Sequence, residues 1–151
     1  MKSVLIFFLL ASTNVFSGTQ EREADGYDIG TELSICAGDF YFASLLFKAY
    51  KQDATSKSLK ELSNGWMLAG VSNYYFSGLT YELSKVSSEG KKETTSSQWM
   101  ARLEGVNKDD EKLGVLVKNL TNKLELCKEY EDTVVLSQKL LKQFLSKVTT
   151  K

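Results

Sequence analysis

Residues 31–51 read TELSICAGDFYFASLLFKAYK, and this stretch decides the fold. Leu33, Cys36, Phe40, Phe47 and Tyr50 recur at helical spacing, with Ala37 and Ala43 alongside. Tyr41, Phe42, Leu45 and Leu46 fill the remaining directions, so this helix is apolar nearly all round. A helix of that kind belongs at the centre of a bundle, where neighbours cover every face. Thr31 is placed to cap its start, and residues 52–57 form a polar connection after it.

Downstream, the same period predicts three more main helices and a short one. The second helix is expected over residues 58–86, with Leu59, Leu62, Trp66, Ala69, Phe76, Leu79, Leu83 and Val86 as its seam. Gly70 and its small neighbours Ala69 and Ser72 would let another helix approach closely. Residues 87–92 (SSEGKK) read as a loop, and residues 95–104 as a short helix that Gly105 ends. Asn107 is placed to cap a helix whose seam is Leu113, Val117, Leu120, Leu124 and Cys127. The period continues through Val134, Leu141, Leu145 and Val148. A break is expected near residues 130–133, because an unbroken helix of about 40 residues would be ~60 Å long. Asp132 would then cap the last helix. The expected fold class is all-α, a single-domain bundle of four main helices plus one short helix over residues 31–149. The absence of proline agrees with long helices.

Upstream, residues 18–30 are polar and acidic, and are expected to be a flexible lead-in. Residues 1–17 have the layout of a cleaved secretory signal: Lys2 at the start, the apolar run Val4 to Leu10, and Val15-Phe16-Ser17 before the cut. The expected localisation is exported, either periplasmic or secreted, with no stable membrane anchor, since no later stretch is long and apolar enough to span a bilayer. Cys36 and Cys127 are the two cysteines, and an exported chain pairs such residues. Their disulfide would close a separation of 91 residues, worth about 4–5 kcal/mol in the chain-entropy treatment. Free thiols or an intermolecular bridge are the alternatives.

Of the chain's 151 residues, 19 are basic and 19 acidic, and there is no histidine. Removing the signal takes Lys2, so the mature net charge is −1. The balance argues against nucleic acid as a partner. Without histidine, Ser-His-Asp and Cys-His catalysis and histidine metal ligation are excluded. No phosphate-binding glycine loop or calcium loop is present, and two isolated thiols lack the further ligands of a zinc site. No catalytic residue, metal or cofactor is therefore assigned, and the chain reads as a non-enzyme.

Three features remain as candidate sites. Adjacent aromatic residues on one helix cannot all face one core, so Tyr41, Phe42, Tyr50, Tyr74, Tyr75 and Tyr81 form a candidate binding face; complete burial within a surrounded helix is the alternative. Asp39 is the only charge between Glu32 and Lys48. It is a candidate buried polar group, although a place on the one exposed stripe, as a solubilising charge, is the expectation. Asn73 is a second candidate, placed to fix helix register by a buried hydrogen bond. The last helix carries Lys139, Lys142 and Lys147 with no acid after Asp132, a pattern expected of a solvated face. Together these point to an exported protein that acts by non-catalytic interaction with a protein partner, as an inhibitor, immunity or accessory factor. A bundle that carries a small apolar ligand is the alternative, and a carboxylate- or serine-based hydrolase ranks behind both.

Overall fold

The computed structural model describes residues 3–106 and 109–148, and the side chains of residues 25–106 and 109–143. Five α-helices follow in order: α1 (Ser3–Ala49), α2 (Asp53–Phe76), α3 (Tyr81–Val106), α4 (Asp110–Cys127) and α5 (Glu131–Val148). A single 3-10 turn, Lys128–Tyr130, joins the last two. The class is the expected all-α bundle, with α1 at its centre.

The apolar seams of α1 feed two cores. One gathers Leu33, Cys36, Ala37, Trp66, Ala69, Cys127 and Val134, with Phe40 packed against it. The other gathers Phe42, Ala43, Trp99, Leu116 and Leu120. Between them α1 carries small residues at four-residue intervals, Gly30, Ser34 and Gly38, and here α2 and α3 come very close. A β-carbon on Gly38 would sit 2.6 Å from Thr95 Cβ and 2.7 Å from the Lys92 carbonyl, so only glycine fits without movement. Serine hydroxyls tie the seam together. Ser63 donates to the Ala37 carbonyl (2.7 Å) and Ser88 to the Met67 carbonyl (2.9 Å). Ser34 donates to the Gly30 carbonyl (2.6 Å), and its oxygen lies 2.8 Å from that of Ser88. These partners run α2 antiparallel and α3 parallel to α1. α4 then returns so that Cys127 meets Cys36, and α5 packs on α2, where Asn73 Nδ2 donates to Ser137 Oγ (2.9 Å).

Several expected boundaries move. The helix expected over residues 58–86 stops at Phe76, because Gly78 turns the chain with φ +101° and Thr80 Oγ1 accepts the Leu83 amide at the start of α3. Leu83 and Val86 consequently lie exposed, and the buried face of α3 is Ser84, Ser88, Ser96 and Trp99. Residues 87–92 are not a loop but the middle of α3, and the expected short helix is its last part. Residues 18–30, expected to be flexible, are helical within α1, and Tyr27 packs edge-on against Tyr74 with ring centres 5.0 Å apart. Thr31 sits inside α1 rather than at its cap, with its hydroxyl 2.9 Å from Tyr74 Oη. The cap of α4 is Asp109, whose carboxylate accepts the Lys112 amide; the expected cap Asn107 lies outside the described residues. Asp132 is within the first turn of α5. Leu145 and Val148 lie outside the described side chains.

Candidate functional site

The expected cysteine pair is joined: Cys36 on α1 and Cys127 at the end of α4 form a disulfide with an S–S distance of 2.07 Å. One turn along α1 stands Asp39. It is 2% exposed, which corrects the expected place on a solvent stripe. The reason lies on α3, where the Trp99 indole donates to Asp39 Oδ1 at 2.6 Å. Trp99 is itself held by stacking on Phe42, with ring centres 5.7 Å apart and planes 12° apart, and by the Arg102 guanidinium 4.9 Å from its centroid. A carboxylate oxygen of Asp39 and both cysteine sulfurs lie within 4.8 Å of one another. The sulfurs are spent on each other, so this cluster does not ligate a metal in the oxidised protein.

Burial pushes the Asp39 carboxyl above its ordinary value, and Glu32 adds to that. The Trp99 hydrogen bond and the positive charges of Lys123 and Arg102 act in the other direction. Asp39 lies at the floor of a cleft of about 290 Å³ between α1, α3 and α4, whose rim holds Lys91, Arg102 and Lys123. Among the described residues, two of the further clefts are the most apolar in lining. One of about 390 Å³ runs over Val106, Val115 and Leu116, and one of about 480 Å³ over Leu62, Trp66 and Val134. Both open to solvent, so neither is the enclosed chamber that a carrier of an apolar ligand would use.

The six residues of the expected binding face do not form one surface. Phe42 and Tyr74 are each 0% exposed and belong to the interior: Phe42 stacks on Trp99, and Tyr74 lies between Tyr27 and Gly30 with its hydroxyl against Thr31. Tyr41 is half-buried, with the Lys92 ammonium 4.9 Å from its ring centre. Tyr50 is exposed, but at the opposite turn, between α1 and α2. Only Tyr75 and Tyr81 remain together, flanking the α2–α3 turn, where they are 37% and 52% exposed. The structure adds two rings to them. Phe76 is 55% exposed and packs edge-on against Tyr75 (5.8 Å), and Tyr27, 44% exposed, reaches the same end of α2 through Tyr74. Asn73 is half-buried and bonds both the Ala69 carbonyl and Ser137, as a register-fixing residue would. Sequence reasoning missed Tyr27, because it lies in a segment read as flexible, and the Asp39–Trp99 pair, because 60 residues separate its members. Among the described residues no helix is long and apolar enough to cross a membrane. Comparison of the chain with models of protein families, with curated proteins and with solved structures gives no match in any of the three.

Proposed function

We propose that the protein is exported and acts without catalysis, by docking a protein partner on the aromatic end formed by Tyr27, Tyr75, Phe76 and Tyr81. The observation that carries this reading is the exposure of four aromatic rings at one end of the bundle, around the α2–α3 turn, while Phe42, Trp66, Tyr74 and Trp99 fill the interior. Aromatic side chains present much apolar area with few rotatable bonds, and tyrosine adds a hydroxyl, which is why they anchor protein interfaces. Export is supported by the signal-like residues 1–17 and by a disulfide that an oxidising compartment would preserve.

A photo-crosslinking residue at position 81, in protein expressed in its own host, is expected to trap one discrete partner. The same residue at Lys118, exposed on α4, should trap none. Equal labelling from both positions, or none from position 81, removes the reading. Export is checked separately by the mass of the protein recovered outside the cytoplasm, which should begin at or near Gly18.

A further inference from the structure

The cleft above Asp39 is built of opposite charges in layers. Its floor is the carboxylate of Asp39, a residue only 2% exposed, with one oxygen taken by Trp99. Its rim is cationic, with Lys91 and Arg102 from α3 and Lys123 from α4. Among the described residues none of these three cations lies within 4.0 Å of a carboxylate, the limit for an ion pair; the two ion pairs found are Lys112–Asp109 and Lys128–Glu125, elsewhere on α4 and the turn after it. Arg102 is held over the Trp99 ring, so its position is set by the same indole that binds Asp39. Thus one buried acid and three cations without a carboxylate partner share one opening, and among the described residues the one hydrogen bond to the acid uses one of its two oxygens.

This layout selects a ligand by charge. A simple anion would meet the rim well, but its inner end would face the Asp39 carboxylate. A simple cation would meet Asp39 but would have to settle inside a ring of three positive groups. A molecule with a positive end inward and a negative end outward satisfies both layers, and like-charge contacts reject the single-ended alternatives. The volume of about 290 Å³ lies at the small end of the range for ligand sites, roughly 300–1,000 Å³, so the molecule is small. We propose that this cleft binds a small zwitterion of the amino-acid type, its ammonium group on Asp39 and its carboxylate among Arg102, Lys123 and Lys91. The site lies on α1, α3 and α4, away from the aromatic turn, so it stands or falls independently of partner docking.

The test uses the oxidised, full mature protein and an unbranched series of ω-amino acids, from glycine to aminohexanoate. Alkylamines and alkanoates of matched length serve as single-ended probes, with binding followed by the indole N–H resonance of Trp99 at constant ionic strength. One or two members of the series are expected to shift that resonance saturably, and the matched amine and alkanoate should bind at least about tenfold more weakly. Asp39→Asn keeps an oxygen to accept the indole N–H and removes the charge. It should weaken the amino acid about tenfold or more and leave the alkanoate unchanged or tighter. Arg102→Gln combined with Lys123→Gln should weaken both, while Lys118→Gln, elsewhere on α4, changes neither. An alkanoate that binds as tightly as the amino acid, an amino acid whose affinity survives Asp39→Asn, or no saturable shift with any member of the series overturns the proposal. Binding is read at a temperature well below the melting of every variant, so that a loss is of binding and not of fold.

Discussion

α1 meets its neighbours in two different ways. Around Ser34 and Gly38 it touches α2 and α3 through backbone, hydroxyl and threonine groups, with helices drawn close because nothing large stands between them. Around Phe40 and Phe42 it touches Trp66 and Trp99 through wide ring contacts. The first region is held by proximity and hydrogen bonds, the second by buried apolar area. The regions should therefore fail differently, the one to added volume and the other to removed volume.

Removing volume from the ring region has the largest expected effect. Trp99→Ala should cost about 3–5 kcal/mol in denaturant unfolding, because it empties the Phe42 contact and strips buried Asp39 of its hydrogen bond. A variant within 1 kcal/mol of the wild type would show that the ring stack is not a core element. Cys36→Ala with Cys127→Ala should cost about 2–5 kcal/mol, visible as a lower melting temperature than that of the oxidised wild type. Adding volume to the seam comes next: Gly38→Val should destabilise by about 1–3 kcal/mol, since Thr95 and the Lys92 backbone must yield, whereas Ser63→Ala loses one hydrogen bond and about 1 kcal/mol. If the two substitutions cost the same, the seam is less tight than its geometry.

Asp39 sits where the two regions meet and sharpens the contrast through pH. Its carboxyl is raised above the ordinary 3.8 by burial, so the folded state holds its proton more firmly than the unfolded chain. The associated stability is fully present below the unfolded value and declines as pH rises from there through the raised folded value. Asp39→Asn lacks this dependence. Its stability relative to the wild type should improve as pH is taken from below 4 to neutrality, followed by urea unfolding at each pH; a flat difference would mean that Asp39 titrates normally. The smallest effect is expected at the turn after α1, where Lys51 has φ 59°. Lys51→Gly should gain about 0.5–1 kcal/mol by relieving a left-handed backbone.

The same contrast explains what could be read from the chain alone. Apolar periodicity marked α1, placed it at the centre and located Phe40 and Trp66 of the ring region, whereas Phe42 read as part of a binding face. It also singled out Cys36 and Cys127. The seam was less legible. Gly70 could be read as a point of close approach, but Ser34, Ser63, Ser84 and Ser88 carry no hydropathic signal, although they are buried as completely as Leu33. With the buried face of α3 written in serine, Leu83 and Val86 drew the period across the turn at Gly78 and merged two helices. Asp39 was noticed as an isolated charge, but its burial depended on Trp99, which no local rule connects to it. The aromatic turn was half visible, through Tyr75 and Tyr81; Phe76 was assigned to a seam, and Tyr27 to a mobile segment.

The hydroxyl-lined seam also bears on how stability changes with temperature. Unfolding raises the heat capacity in proportion to the apolar surface it exposes, and exposed polar surface subtracts from that rise. Eight serines are among the buried residues, together with closely packed glycines, where other bundles would bury leucine or valine. The heat-capacity increment per residue should accordingly fall below the usual 12–15 cal/mol/K or so. A smaller increment flattens the curve of stability against temperature, so the protein would hold a modest stability over a broad thermal range instead of a high one over a narrow range.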